Sequence, residues 1–208
     1  MKLSYTHSSL SPSKFTQLLV PYLLQQLQKV SNLQSTPLHI LEVGAGNGYI
    51  SNLLSIHGYE VTALEPSYDG ASLISSAYPD LHLINSTVES ISPPLKDQYD
   101  VVVCIEVIEH VYDPKVFVAT LYQALRQGGT LIISTPYHGY IKNLLIALFD
   151  LSDQHYTVLW DHGHIKFFSI KTLSQLLTQK GFKDITVKRM GRIFKSIAAS
   201  MVLTAAKP

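Results

Sequence analysis

Apolar residues near the amino terminus recur at the spacing of a helix. They occupy one face of the predicted helix: Phe15, Leu18, Leu19, Tyr22, Leu23, Leu27 and Val30. Ser11, Pro12 and Ser13 come just before this run and supply a helix cap with proline in the first turn. The pattern predicts an amphipathic amino-terminal helix.

Short, nearly continuous apolar runs follow, and segments with helical spacing separate them. The runs predicted as strands are LHILEVG, YEVTALEP, LHLIN, YDVVVCIEV and GTLIIST. The segments predicted as helices are 49–57, 68–77 and 114–126. Because strands and helices alternate, we expect a parallel sheet with right-handed crossovers. The fourth run is almost entirely apolar, which is typical of a strand that is covered on both faces.

The alternation stops after Pro136, and residues 137–168 hold no strand and helix pair of the expected length. An insertion there would lie over the carboxyl ends of the strands, where open α/β sheets bind ligands. We therefore interpret 137–168 as a substrate cover. A helix beginning at Ser169 and two closing strands, DITVKRM and SIAASMVLTAAK, complete the pattern. The prediction is one α/β domain over 1–208, doubly wound and seven-stranded, with 1–36 as an amino-terminal helical cap.

Composition restricts the function further. The 208 residues are 46% hydrophobic, which suffices for one sizeable core. The formal net charge is +1, so no large basic field is available to bind nucleic acid. The lone cysteine, Cys104, and the lack of a signal-peptide pattern predict a cytoplasmic protein. Every apolar run is shorter than the roughly 20 residues of a membrane span, so we expect no membrane-spanning segment.

Three glycines, at positions 44, 46 and 48, follow the first predicted strand. A chain that turns sharply into a helix beside a ligand needs residues without a Cβ there. The dinucleotide fingerprint would require glycine at 49, where Tyr49 stands, and this disfavours a nicotinamide cofactor. Glu65 ends the second predicted strand, at a distance from the glycines that suits a ribose diol. The pattern therefore predicts a site for a nucleoside-containing cofactor.

These motifs resemble those of the class I S-adenosylmethionine-dependent methyltransferases. LEVGAGNG is similar to their first motif, ALEP to the acidic end of their second strand, and IEVIEHVYDP and LRQGGTLIISTP to their fourth-strand and fifth-strand signatures. With GHIKFFS and KGF, the chain most resembles the branch that includes the ubiquinone-biosynthesis O-methyltransferases and many small-molecule methyltransferases. The resemblance implies a Rossmann-like, mostly parallel sheet with helices on both faces, a lid insertion after the fifth strand, and S-adenosylmethionine as cofactor.

The resemblance also implies which residues bind that cofactor. The glycine loop would pass under its methionine part, Glu65 would take both ribose hydroxyls, and Ile105 and Glu106 would lie beside the sulfonium. Ser86 stands where the family often has an acidic contact to adenine, and the backbone of Thr87 or Val88 is the alternative. The full implied set is Glu42, Gly44, Ala45, Gly46, Gly48, Glu65, Pro66, Ser86, Thr87, Val88, Ile105 and Glu106.

Methyl transfer to a hydroxyl group requires removal of a proton. His110, just past the fourth strand, is a candidate base because an imidazole titrates near neutral pH. The alternative is that His110 only caps or packs at this turn. Glu109 and His164 are the other catalytic candidates, and His164 is expected to line the acceptor pocket. The predicted function is O-methylation of a small molecule; the alternatives are a non-catalytic cofactor-binding subunit and a metal-dependent RNA enzyme.

The RNA alternative comes from a second resemblance. Glu106, Glu109 and His110 are similar to the E-x-x-E-H arrangement of the metal-dependent RNA 3′-terminal 2′-O-methyltransferases, and DHGHIKFF supplies His162 and His164 as further imidazoles. Two carboxylates and two imidazoles can bind Mg²⁺ or Mn²⁺. We predict no metal; if one binds, the ligands would be Glu106, Glu109, His110 and His164. The low net charge argues against RNA as the acceptor.

Overall fold

A seven-stranded sheet forms the centre of the computed structural model, which describes residues 9–32, 36–91, 95–156, 159, 163–191 and 198–208. The strands are β1 (His39–Val43), β2 (Glu60–Leu64), β3 (His82–Ile84), β4 (Tyr99–Ile105), β5 (Leu125–Pro136), β6 (Lys183–Met190) and β7 (Ser200–Ala206). Their order across the sheet is β3-β2-β1-β4-β5-β7-β6.

Neighbouring strands from β3 through β5 are parallel, whereas β7 runs antiparallel to both β5 and β6. This arrangement confirms the predicted seven-stranded, mostly parallel sheet. The chain winds in one direction from β1 to β3 and returns to start the other half at β4. The carboxyl ends of β1 and β4 therefore border the crevice in which such sheets bind ligands.

Helices cover both faces of the sheet, as predicted. They are α1 (Lys14–Ser31), α2 (Tyr49–Ile56), α3 (Tyr68–Ala77), α4 (Pro114–Ala124), α5 (Tyr140–Leu148), α6 (Ser152–Tyr156) and α7 (Ile170–Gln179). Apolar side chains of α1 and α2 pack on one face against Ile40 and Val101. Those of α4 and α7 pack on the other face against Leu41 and Val102. Consecutive residues of one strand thus enter two different layers of the core.

The start of β5 differs from the sequence prediction. We expected a helix to residue 126 and a strand from Gly129, but α4 ends at Ala124 and β5 begins at Leu125. Leu125 is fully buried and pairs with Tyr99 at the start of β4. Gly128 N donates to Lys207 O at 3.0 Å, and Lys207 N donates to Gly129 O at 2.8 Å. These long-range contacts hold the segment extended.

The insertion after β5 contains α5 and α6, and its returning segment is tied to the turn after β4. Ile165 N and Lys166 N both donate to Glu109 O, at 2.9 and 3.0 Å. His138 N donates to Phe168 O at 3.1 Å. The insertion therefore follows β5 and contacts the turn after β4. Within the described ranges, no helix combines the length and apolar character needed to cross a lipid bilayer.

Candidate cofactor and acceptor site

The glycine loop connects β1 to α2 through backbone conformations that favour glycine. The φ angles of Gly44, Gly46 and Gly48 are +76°, +58° and +75°. A Cβ on Gly44 would collide with Val107 Cγ2, and a Cβ on Gly48 would lie 2.8 Å from Ile74 Cγ1. The loop therefore has neither the backbone angles nor the space for side chains at these two positions.

Glu65 follows β2 and joins this loop to the start of α3. Its Oε2 accepts a hydrogen bond from Gly46 N at 2.7 Å. Its Oε1 accepts from Ser67 N at 2.8 Å and from Ser67 Oγ at 2.5 Å. The loop is also held by Gly44 N and Ala45 N, which both donate to Leu64 O. The carboxylate, followed by Pro66, is thus fixed beside the glycine loop at the crevice.

Glu42 lies one layer beneath, near the end of β1, and is 2% exposed. Ser51 Oγ on α2 donates to Glu42 Oε2. Burial raises the pKa of Glu42 to about 8; the Ser51 hydrogen bond lowers it, and the charge of Glu65 adds to the increase. Glu42 is therefore largely protonated at neutral pH, and a nearby positive charge would favour its ionisation.

A cleft of about 440 Å³ opens above these groups. The loop glycines Gly44 and Gly46, together with Glu42, Ile105 and Glu106, form one wall. The opposite wall is the segment Ser9–Ser13 with Phe15 and Thr16 of α1. Asn47 Nδ2 holds this segment by donating to Ser9 O at 2.9 Å and Ser11 O at 3.2 Å. The sequence predicted only a helix cap there, because nothing local marks these serines as cleft residues.

The residues implied at the adenine end follow β3. Asn85 Nδ2 donates to Glu65 O at 2.7 Å, which places the end of β3 next to the end of β2. Ser86 Oγ donates to Thr87 O at 3.1 Å, and Val88 begins a short 3₁₀ turn with its side chain buried. The three candidates Ser86, Thr87 and Val88 thus lie on the same edge as Glu65.

Glu106, at the end of β4, is held in a left-handed conformation with a φ of +53°. Its backbone N donates to Ser134 Oγ at 3.1 Å, and Ser134 Oγ in turn donates to Glu106 Oε1 at 2.7 Å. Ser200 Oγ of β7 donates to Oε2 at 3.2 Å. Burial raises the pKa of Glu106 to about 7, while the serine hydrogen bonds and the charge of Lys142 lower it. Both carboxylate oxygens are therefore oriented by neighbouring strands.

Glu109 is the most isolated acid of the site. It lies on the 3₁₀ turn Ile108–His110 with a relative exposure of 1%. Neither Oε1 nor Oε2 has a hydrogen-bond partner among the described residues. Burial raises the pKa of Glu109 well above its usual range, and the charge of Glu106 adds to this. A buried carboxyl group without a hydrogen bond is rare in native proteins, and calls for an explanation by a ligand or ion.

Two imidazoles lie beside Glu109. His164 Nε2 is 3.9 Å from Glu109 Oε1, and the rings of His110 and His164 meet edge to face with centroids 4.8 Å apart. Burial lowers the pKa of His164, and the neighbouring His110 lowers it further. His110 Nδ1 lies 3.2 Å from Gly163 O. Because a carbonyl oxygen only accepts, Nδ1 must carry the hydrogen, and Nε2 is the basic nitrogen of neutral His110.

The structure brings together three of the four candidate metal ligands. One ligand atom from each of Glu109, His110 and His164 lies within 4.8 Å of the others. Glu106 is not part of this group, since Ser134 and Ser200 orient its carboxylate. His162 lies outside the described residues. The groups implied at the reacting end therefore form two adjacent subsites. One is Glu106 with its two serine partners, and the other is the group of Glu109, His110 and His164.

The sheet order, the antiparallel β7 and the glycine loop at the crevice define a Rossmann-like methyltransferase fold. A family model described as "Methyltransferase domain" matches residues 16–187, and the chain belongs to this family. It is therefore an S-adenosylmethionine-dependent methyltransferase.

Individual relatives differ in the atom that they methylate. The ubiquinone biosynthesis O-methyltransferase of Rickettsia akari is 28% identical over 180 residues, which are 81% of this chain and 67% of that protein. The CurJ carbon methyltransferase superposes with a TM-score of 0.72 at 16% identity, over 95% of this chain and 56% of the other. A possible histamine N-methyltransferase from Thermotoga maritima superposes with a TM-score of 0.64 at 16% identity, over 92% of this chain and 99% of the other. At such identities the two structures show the fold alone.

The residues of the cleft fit S-adenosylmethionine. The close approach of backbone at Gly44 and Gly48 leaves a side-chain-free surface on which an extended ligand can lie. The same cleft is lined by Glu42 and Glu106, two acids whose burial raises their pKa. S-adenosylmethionine carries an ammonium and a sulfonium charge, and positive charges favour ionisation of such carboxyl groups. A neutral or anionic ligand would not gain from this arrangement.

Proposed function

We propose that this protein transfers the methyl group of S-adenosylmethionine to an oxygen atom of a small-molecule acceptor. When bound, the cofactor supplies an electrophilic methyl group. The observation that carries the proposal is the contact between His110 Nδ1 and Gly163 O, which makes Nε2 the basic nitrogen. A hydroxyl group must lose its proton on transfer, and His110 supplies a base four residues beyond the cleft-lining Glu106.

Each predicted binding residue has a role in this proposal. The glycine loop, with Glu42 beneath it, holds the amino-acid part of the cofactor, and Glu65 with Pro66 holds the ribose. Ser86, Thr87 and Val88 border the adenine, and Ile105 and Glu106 border the sulfonium. The cofactor-binding set is Glu42, Gly44, Ala45, Gly46, Gly48, Glu65, Pro66, Ser86, Thr87, Val88, Ile105 and Glu106. These residues orient the methyl donor. The residues that act on the acceptor follow Glu106, on the turn after β4, and in the insertion.

The acceptor side consists of His110, His164 and Glu109. His110 takes the hydroxyl proton, and His164 lines the acceptor pocket. Glu109 lies against His164 and, through its carbonyl, holds the returning segment of the insertion by Ile165 N and Lys166 N. In this proposal residues 137–168 exclude water as the substrate cover, and residues 1–208 act as one methyltransferase domain.

Transfer of labelled methyl groups to a library of hydroxyl-bearing acceptors tests the proposal. His110→Ala should abolish most turnover while S-adenosylhomocysteine affinity is kept. His57→Ala is the matched control, since His57 also places Nδ1 against a backbone carbonyl, Leu53 O at 2.8 Å, but is exposed on the surface. Full turnover of His110→Ala would return His110 to a structural role. Tight cofactor binding with no transfer to any acceptor would favour the non-catalytic subunit.

A metal-assisted form of the same reaction is the second candidate. The two buried carboxylate oxygens of Glu109 favour it, because neither accepts a hydrogen bond from the described residues. A divalent cation bound by Glu109, His110 and His164 would satisfy those oxygens and polarise an acceptor hydroxyl. Titration of the protein with Mg²⁺ or Mn²⁺ by calorimetry tests this directly. Saturable binding that Glu109→Gln removes, with activity lost to a chelator, would establish it. Activity on RNA ends would support the RNA enzyme, which the net charge of +1 disfavours.

A further inference from the structure

His138 is a buried histidine that the methyl-transfer chemistry described above does not use. It lies two residues past the end of β5, on the same sheet edge as Glu106. Its backbone N donates to Phe168 O at 3.1 Å, and the preceding Tyr137 N donates to Ala199 O at 3.0 Å. These two hydrogen bonds fix the backbone on both sides, so the position of His138 is set by the fold.

The imidazole of His138 contains a polar atom that lacks a partner. The residue is 7% exposed, and Nδ1 is buried with no hydrogen-bond partner among the described residues. Native proteins seldom retain such an atom unless a ligand or ion uses it. A histidine that served only to fill space would be better replaced by an apolar ring, because phenylalanine leaves no polar atom unsatisfied.

Aromatic rings surround His138. Phe167 meets its ring edge to face at 5.0 Å, His155 does so at 5.4 Å, and Tyr156 lies nearly parallel to it at 6.2 Å. His155 and Tyr156 belong to α6, a five-residue helix with no buried residue. Phe167 belongs to the returning segment of the insertion. An aromatic acceptor could replace the α6 rings against His138 without disturbing the sheet.

We propose that His138 is an acceptor-binding residue, whose Nδ1 accepts a hydrogen bond from a hydroxyl group on an aromatic acceptor, other than the hydroxyl group that is methylated. Phe167 packs on the acceptor ring, and the proton that is removed on methyl transfer comes from the methylated hydroxyl group and goes to His110. The inference rests on the proposed function, because it concerns how that function's acceptor is selected. It assigns His138 a role in specificity that the sequence did not suggest.

Charges around His138 agree with a role as a hydrogen-bond acceptor rather than a base. Burial lowers the pKa of His138 to about 4. Lys142 of α5, and to a smaller extent His155 and His164, lower it further, while a hydrogen bond between the imidazole and the side chain of Asn143 raises it. The imidazole therefore stays neutral at physiological pH and keeps one nitrogen lone pair. A neutral imidazole distinguishes a hydroxyl group from a methyl ether at the same position, because only the hydroxyl group has a hydrogen to donate.

The experiment compares phenol with anisole, which has the same ring but no hydroxyl hydrogen. Both are titrated by ligand-observed NMR into the full chain saturated with S-adenosylhomocysteine. Wild-type protein should bind phenol roughly five- to tenfold more tightly than anisole, the range of one neutral hydrogen bond. His138→Phe should bring the two affinities together and raise the melting temperature. Equal affinities in the wild type, or an unchanged preference in His138→Phe, would overturn the proposal.

Two further variants separate recognition of the hydroxyl from ring packing. Phe167→Leu should weaken phenol and anisole by the same factor, and Tyr156→Phe should leave their ratio unchanged. If His138→Phe does not fold, the ¹⁵N NMR spectrum of the wild-type histidines tests the proposal instead. Phenol should change the chemical shift of His138 Nδ1, and anisole should not; no change with phenol would overturn the proposal. The binding preference for phenol and the transfer of labelled methyl groups are measured independently. The proposal for His138 can therefore fail while the proposed methyl transfer holds, and the reverse.

Discussion

At the scale of single residues, Glu42 links the stability of the protein to pH. The carboxyl group is buried beneath the glycine loop, and its pKa of about 8 compares with an ordinary value of 4.5. Between these two pH values the native chain keeps a proton that the unfolded chain releases. The stability associated with this proton is fully present below the lower value and is lost as pH rises through the upper one.

We predict that Glu42→Gln makes the free energy of unfolding less dependent on pH between 4.5 and 8. The wild type should lose about 1.4 kcal/mol relative to the variant for each unit that separates the two pKa values. Urea unfolding from pH 5 to pH 9 measures this difference. The exposed Glu89→Gln is the control and should follow the wild type. Parallel curves for Glu42→Gln and the wild type would show that Glu42 ionises normally.

Glu65 gives a prediction on cofactor affinity. Its carboxylate accepts from Gly46 N and from Ser67 N and Oγ, so glutamine cannot reproduce all its contacts. Glu65→Gln should weaken S-adenosylhomocysteine binding by about 1 to 3 kcal/mol, because a charged acceptor is lost at the ribose. Calorimetry on Glu65→Gln and on the surface control Glu60→Gln measures it. Equal affinity for both variants would remove Glu65 from the ribose site.

The sequence predicted where the residues of the reacting end lie along the chain, but not the contacts of their side chains. The spacing of Glu106, Glu109 and His110 correctly placed them after the fourth strand, but it could not separate Glu106 from the other two. Ser200 makes that separation by donating to Glu106 from 94 residues further along the chain. Similarly, the sequence does not reveal that His138 is buried, because the rings that contact it come from α6 and Phe167 and not from its neighbours in sequence.

At the scale of elements, the turn from β1 to α2 depends on glycine for two separable reasons. Gly44 has a φ of +76° and lies against Val107, whereas Gly58 has a φ of +85° and no atom within 4 Å of where a Cβ would lie. Gly58→Ala should therefore show the cost of the backbone angle alone, about 1 kcal/mol. Gly44→Ala should cost about 1 to 3 kcal/mol more, because of overpacking. Urea unfolding compares the two variants.

A double-mutant cycle identifies the source of that additional cost. Val107→Ala removes the methyl group that a Cβ at position 44 would meet. The cost of Gly44→Ala should consequently be smaller in the Val107→Ala background than in the wild type. If Gly44→Ala and Gly58→Ala cost the same, or if the cycle shows no coupling, close packing against Val107 does not explain the glycine.

Element boundaries were predictable where local signals decide them. Ser169 caps α7, which begins where this capping residue predicted. The prediction for α1 was wrong in one respect: Ser13 is the cap, so Pro12 precedes the helix and does not lie in its first turn. The start of β5 was not predictable, because Leu125 has good helix propensity and only its pairing with Tyr99 makes it extended. Tertiary contacts thus override helix propensity at the start of β5.

At the scale of the whole molecule, β7 completes both the sheet and the site. It lies between β5 and β6 and buries Met201, Val202, Leu203 and Ala205. Burial of each of the three larger side chains contributes about 1.5 to 3 kcal/mol. Their sum is comparable with the net stability of about 5 to 15 kcal/mol of a typical domain.

We therefore expect that deleting residues from 200 onward abolishes cooperative folding and S-adenosylhomocysteine binding, although the glycine loop and Glu65 remain. Thermal unfolding followed by circular dichroism, together with calorimetry, measures both. Removal of Pro208 alone is the control, because Lys207 keeps its hydrogen bonds to Leu125 O at 2.6 Å and Asp97 at 2.8 Å. A truncated chain that still melts cooperatively and binds the cofactor product would contradict this role of β7.

The placement of β7 has a consequence for the order of events during synthesis. Ribosomes deliver the chain from its amino terminus, so β7 is the last described strand to emerge, yet it occupies an inner position in the sheet. Before β7 emerges, β5 lacks its antiparallel neighbour and Glu106 lacks the hydrogen bond from Ser200. We expect that the chain binds S-adenosylmethionine only after β7 has been synthesised. Incomplete nascent chains would then not bind the methyl donor of the cell.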